Sequence, residues 1–366
     1  MKLTILSVAY PLTPVGLDAV GGSEQILTLI DAALCKKGHR SLVLACEGSQ
    51  TAGTLLATPK WDGPLTDEVR AWGQQQHRIA IEQALEQYSV DLIHMHSLDF
   101  HQYLPSGDVP VLTTLHLPPD WYPAEIYQPR HSKLWFNCVS DSETRSCPPT
   151  QHLLPYIDNG VDVNRLNRTD VRKGDFVFAL GRVCPEKGLH LALEAAHLAD
   201  MSMLLAGEVF RYETHEQYYE QEIVPRLDER RRYIGPVGLR RKRRLLTQAR
   251  CLLIPSLVAE TSSLVAMEAL SCGTPVIAFP SGALPEIVDD GKTGFIVQDE
   301  QEMASAIRRI NLIDPAICRR TAREKFSAER MTSRYIQRYM DLTARNIPQF
   351  AFSTGADTAF SYLDGR

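Results

Sequence analysis

Short apolar runs of four to seven residues recur along the whole chain, separated by segments of helical periodicity. In the first half they are 3–9, 41–46, 91–96, 110–115, 134–139 and 153–157. In the second they are 176–181, 201–207, 251–255, 275–279 and 294–297. Runs apolar on both faces must be covered on both faces, which parallel strands flanked by helices achieve. The helical segments agree. Within 24–37, Ile26, Leu27, Ile30, Ala33 and Leu34 form one stripe, and Gly38 stands where the helix should stop. In 189–199, Leu189, Ala192, Leu193 and Ala196 repeat the pattern. The chain therefore reads as α/β, with each half a doubly wound unit.

A length of 366 residues exceeds one compact core, and the polar stretch 158–175 is the natural joint. We expect domains at 1–165 and 166–328, with a poorly committed tail at 347–366. Two such units face each other across a cleft at the carboxyl ends of their strands, where open α/β sheets bind ligands.

With 44% hydrophobic and 23% charged residues, the composition is that of a soluble globular enzyme, and a net charge of -5 offers nothing to nucleic acid. No apolar run approaches the roughly 18 residues that cross a bilayer. The N-terminus superficially resembles a signal peptide, but Tyr10-Pro11 closes its apolar stretch early and no small-residue cleavage site follows. A buried first strand is the better reading. The eight cysteines are scattered without a Cys-x-x-Cys pair, as in a reducing cytoplasm.

Chemistry concentrates in two segments. GRVCPEKG, 181–188, joins the strand at 176–181 to the helix at 189–199. Such a junction turns free amides and the positive helix end toward a ligand. Arg182 and Lys187 add two cations, one able to fork phosphate oxygens and one a mobile point charge. A diphosphate is the natural ligand; a solvated surface pair is the plainer alternative.

In the second segment, 255–279, a strand ends at Pro255, a loop carries Glu260, and a helix runs from near Ser262 to Gly273. Ser262 or Ser263 would cap it, leaving the amides of Ser262, Ser263 and Leu264 to face a ligand. Glu268 lies in LVAMEAL, apolar on all sides, where a carboxylate is costly unless hydrogen-bonded. Ribose hydroxyls could serve; so could a structural partner such as an arginine. Glu260 alone reads equally well as a solvated loop residue.

Weaker candidates lie elsewhere. Gly21-Gly22-Ser23 permits close backbone approach to a ligand, although a plain turn uses the same residues. His116 ends the strand at 110–115, where active-site groups gather. His94 and His96 alternate on one strand and could mimic metal ligands, but core histidines are the better account. RRKRR at 240–244 reads as a solvated helix face. With Arg230, Arg231 and Arg232 it could instead meet an anionic acceptor or a membrane's inner surface.

Together these segments resemble glycosyltransferase family 4, retaining enzymes of the GT-B fold with two Rossmann-like domains. The resemblance runs from the Gly-Gly loop to about residue 345. Its most specific part is Glu260, seven intervening residues, then Glu268 and Ala-Leu-Ser-Cys-Gly-Thr-Pro-Val. GRVCPEKG, DNGVD at 158–162, IGPVG at 234–238 and GKTGFIV at 291–297 support it.

The resemblance implies a nucleotide-sugar donor and a hydroxyl acceptor that is a glycan, a lipid-linked sugar or a metabolite. It implies that Arg182 and Lys187 grip the donor diphosphate, Glu268 binds the ribose, and Glu260 holds the transferred sugar. It also implies that His116 faces the reacting centre, that Gly21 and Gly22 lie near the phosphates, and that a helix at 329–346 crosses back to the first domain. No metal or other cofactor is expected. Thr261-Ser262-Ser263 replaces the Gly-Phe-Gly or Pro-Phe-Gly of many relatives, a departure that bears on pocket shape and sugar preference. A nucleotide-sugar epimerase of the same architecture and a non-catalytic nucleotide-sugar binder are the alternatives.

Overall fold

A computed structural model describes residues 1–19, 21–167 and 171–344. The tail expected at 347–366 lies outside these residues.

The first sheet contains β1 (Thr4–Val8), β2 (Arg40–Cys46), β3 (Thr54–Thr58), β4 (Leu92–Met95), β5 (Val111–Thr114), β6 (Leu134–Asn137) and β7 (Leu153–Leu154). Their order is β3-β2-β1-β4-β5-β6-β7, with every pairing parallel. The helices α1 (Gly22–Lys36), α2 (Asp67–Gln87) and α3 (Asp141–Ser146) accompany it, whereas α4 (Val163–Leu166) already packs into the core of the second sheet through Val163 and Leu166, ahead of the joint expected at 165/166.

The second sheet contains β8 (Phe176–Leu180), β9 (Ser202–Ala206), β10 (Arg231–Tyr233), β11 (Leu252–Ile254), β12 (Val276–Ala278) and β13 (Gly294–Ile296). Their order is β10-β9-β8-β11-β12-β13, again all parallel. Around it lie α5 (Leu189–Leu198), α6 (Glu213–Tyr218), α7 (Leu239–Gln248), α8 (Leu264–Ser271), α9 (Leu284–Ile287), α10 (Glu300–Arg309) and α11 (Pro315–Lys325). The strand order turns back between β1 and β4 and between β8 and β11, the two places where loops diverge and leave a crevice.

Two strands escape the apolar pattern, and both are edges. In β3 only Thr58 is buried, and β10 is Arg-Arg-Tyr. An edge strand is covered on fewer sides and needs no double-faced apolar run. In β10 the Arg231 side chain is nevertheless buried, its guanidinium held by Asp228 at 3.0 Å and by the Ala196 carbonyl at 3.3 Å.

The last described helix, α12 (Ala328–Thr343), returns to the first domain. Met331, Tyr335, Ile336, Tyr339 and Leu342 pack with Leu3, Ile5, Ile26, Ile30, Leu92 and Leu112. Polar contacts fix its register. The Tyr339 hydroxyl meets His94 Nδ1 at 2.7 Å, and the Tyr335 hydroxyl lies 3.2 Å from Thr114 Oγ1. Both nitrogens of His94 are engaged, the second by Thr114 at 2.8 Å, which makes it a satisfied core histidine.

Tyr339→Phe keeps the ring but leaves His94 Nδ1 buried without a partner. We expect a loss of about 1–3 kcal/mol in urea unfolding, with little change in the slope of the transition.

Candidate active site

A cleft of about 310 Å³ opens between the carboxyl ends of the two sheets. Leu17, Asp18 and Gly22 line it from the first domain; Arg182, Lys187, Glu260, Ser262, Ser263, Leu264 and Glu268 line it from the second. One space thus collects most of the residues singled out from the sequence.

The loop after β8 is short and fixed from behind. Pro185–Lys187 form a single 3-10 turn, and Gly188 follows at φ +59°. A Cβ on Gly188 would sit 2.2 Å from the Pro255 carbonyl oxygen, so both the left-handed backbone and the close approach require glycine. The turn aims Lys187 across the cleft at Glu260, with Nζ 2.6 Å from Oε1. Arg182 is exposed on the cleft wall and makes no ion pair among the described residues.

α8 begins after Ser263, whose Oγ accepts from Ala266 N at 3.4 Å; Ser263 rather than Ser262 is the cap. Ser262 Oγ is buried with no hydrogen-bond partner, beside the helix end. Glu268, only 6% exposed, meets Lys242 Nζ at 2.6 Å through Oε1.

Lys242 corrects the reading of RRKRR as a wholly solvated face. Leu239, Lys242, Leu245 and Leu246 share one side of α7, with Leu239 and Lys242 on the cleft and the two later leucines in the core. Their spacing of three and seven residues carried that signal. Arg240, Arg241 and Arg244 are exposed, whereas Arg230 and Arg231 pair with Asp200 and Asp228.

On the first-domain side, Gly22 lines the cleft and Gly21 caps α1 just outside its lining. Glu24, which sequence reasoning passed over, folds its carboxylate back over Gly21; a Cβ there would lie 1.9 Å from Oε2. Gly-Gly-Ser-Glu places an acid at the third helical position, where a carboxylate can reach back toward the cap. Burial raises the Glu24 carboxyl above its ordinary range.

His116 is not among the lining residues. Its Nε2 lies 3.1 Å from His96 Nδ1, and its carbonyl accepts from Thr261 Oγ1 at 2.9 Å, next to Glu260. Burial holds His94 and His96 well below the ordinary imidazole range and lowers His116 to about 3.

Residues 174–311 match the family model described as Glycosyl transferases group 1. Glycogen synthase of Mycobacterium tuberculosis is 25% identical over 91% of this chain and 91% of its own. Among solved structures, AviGT4, a glycosyltransferase involved in avilamycin A biosynthesis, is 23% identical. It covers 94% of this chain and 98% of its own, with a TM-score of 0.71. Anabaena HepE in complex with UDP-glucose is 18% identical, covers 93% and 100%, and gives a TM-score of 0.71. The chain has the GT-B fold and carries a group 1 glycosyltransferase domain. In this GT-B chain that domain supplies both lysine–glutamate pairs. No helix among the described residues is long and apolar enough to cross a membrane.

Two outcomes follow. Lys242→Met strands the Glu268 carboxylate and should cost about 1–3 kcal/mol in urea unfolding, part of which Glu268→Leu in the same chain restores. His77 is fully buried, with both ring nitrogens unpartnered and its pKa lowered to about 4. It binds a proton more readily unfolded than folded, so its contribution is complete above pH about 6.5 and is lost as pH falls toward 4. Moving from pH 7 to pH 5 should cost up to about 2 kcal/mol through this residue. His77→Phe should flatten the urea-midpoint profile accordingly. That difference separates it from Glu24 and Glu143, whose burial-raised carboxyls act in the opposite sense.

Proposed function

We propose that the protein is a retaining glycosyltransferase of family 4 that moves a sugar from a nucleotide-diphosphate sugar to a hydroxyl acceptor. The observation that carries this reading is the pair of ion pairs, Lys187–Glu260 and Lys242–Glu268, facing one cleft beside the exposed Arg182. A diphosphate takes Lys187 from Glu260 and joins Arg182. The released Glu260 then accepts hydrogen bonds from hydroxyls of the transferred sugar. Glu268 stays anchored by Lys242 through Oε1, leaving Oε2 for the ribose hydroxyls. Ser262 Oγ and the free amides of Ser262, Ser263 and Leu264 complete the phosphate side.

As the bond from the sugar to the diphosphate breaks, negative charge grows on the leaving oxygens. Arg182 and Lys187 oppose it from fixed positions in a site that excludes water, without a metal at the diphosphate. The acceptor enters from the first domain, past the Gly21-Gly22 loop. His116, held neutral and joined to Thr261 beside Glu260, would hydrogen-bond the reacting sugar once rotation about the seam between domains brings it into the cleft. With no carboxylate nucleophile assigned, retention proceeds by front-side attack, and the leaving phosphate takes the acceptor proton.

HepE binds UDP-glucose, and a starch synthase of similar fold binds ADP, so uridine and adenine diphosphates head the screen. We expect one diphosphate series to raise the melting temperature, equivalent to about 2.7 kcal/mol at 100 times its Kd. Arg182→Ala and Lys187→Ala should each lower turnover by about 100-fold or more with the matching donor and acceptor. Unchanged turnover in both would remove the leaving-group role. A sugar altered without any acceptor would mark an epimerase instead.

A further inference from the structure

Behind the diphosphate loop, outside the lining of the cleft, Cys184, Glu186 and His215 converge. One ligand atom from each, a thiol sulfur, a carboxylate oxygen and a ring nitrogen, lies within 4.8 Å of the others. Cys184 is fully buried and His215 is 8% exposed, whereas Glu186 is exposed. His215 Nδ1 is buried with no hydrogen-bond partner, a costly state for a polar atom. Its ring is held edge-on by Tyr212, centroid to centroid 5.2 Å.

We propose that Cys184, Glu186 and His215 bind a zinc-class divalent cation, which ties the diphosphate loop to α6. Sulfur, imidazole and carboxylate together suit a borderline-soft metal and not magnesium or calcium, which take oxygen ligands. Tetrahedral Zn²⁺ at about 2.0–2.3 Å from its donors sets them about 3.3–3.6 Å apart. The observed separations, all within 4.8 Å, require the donors to draw together, the exposed Glu186 by rotating its side chain and Cys184 and His215 by small shifts, and solvent on the Glu186 side supplies the fourth ligand. The Cys184 thiol gives up its proton to the medium as the sulfur–metal bond forms. The ligands come from separate elements: Cys184 and Glu186 flank Pro185 in the turn ending at Lys187, and His215 lies in α6. The metal therefore braces from behind the turn that aims Lys187, away from the cleft. Metal binding itself does not rest on the donor assignment.

The test uses the untagged full chain, stripped with a chelator and titrated with Co²⁺. We expect one Co²⁺ per chain, tetrahedral in its visible spectrum, with a thiolate-to-cobalt charge-transfer band and displacement by Zn²⁺. Cys184→Ser should abolish that band. Glu186→Gln, at an exposed side chain that leaves the fold intact, and His215→Gln should each weaken binding at least about tenfold. Cys35→Ser should leave binding as it was. With Zn²⁺ bound, amides of 184–188 and of α6 should exchange hydrogen more slowly. The site is overturned if no charge-transfer band forms, if the band survives Cys184→Ser, or if Glu186→Gln and His215→Gln both bind as the parent does. Unchanged exchange in loop and helix would overturn the tie between them.

Discussion

Among the described residues the chain passes between its two sheets twice, and the passes run side by side. Val161 N donates to the Phe326 carbonyl at 2.8 Å, and Ala328 N donates to the Val161 carbonyl at 2.9 Å. Asp158, just before, takes Arg330 and Arg334 from the first turns of α12. Because both crossings share one seam, the sheets cannot separate without breaking it, and rotation about it is the freedom that remains. The cleft therefore has a back tied by two chain crossings and a front that the described crossings leave untied. Across that front the domains touch through small polar contacts: Thr261 to the His116 carbonyl, the Asp141 and Ser142 amides to Glu286, and the Leu239 amide to Asp18.

Both sheets were legible because their central strands are buried on two faces and have little choice but to be apolar. β3 and β10 were not, since edge strands escape that requirement. Strand order is not written in local pattern either. It follows from which helices cover which face: α12 packs its apolar side on β1, β4 and β5, and its register is set where two tyrosine hydroxyls meet His94 and Thr114.

The second-domain half of the site was readable for a different reason. A carboxylate in an apolar helix and two cations at a strand–helix junction are each costly or conspicuous alone, so Glu268, Arg182 and Lys187 announce a partner. The partners themselves were harder to find. Lys242 was hidden among arginines, where composition drowned its three-residue spacing from Leu239. Glu24 was hidden behind the glycines whose lack of side chains makes room for it. His215 lies 31 residues beyond Cys184, a separation without any motif, and only the packing of α6 brings it near.

Each lysine of the cleft is neutralised by a glutamate of the same cleft, so the site carries the counter-charges of its own cations. A free phosphate that drew Lys187 away would leave Glu260 a poorly exposed charge without a partner. A sugar that bonded Glu260 would have to compete with the lysine already there. Only a molecule carrying phosphate and hydroxyls on one framework satisfies both halves of the broken pair at once. On the donor assignment proposed above, the ion pair would act as a logical conjunction, rejecting the separate fragments of a donor and yielding to the intact molecule.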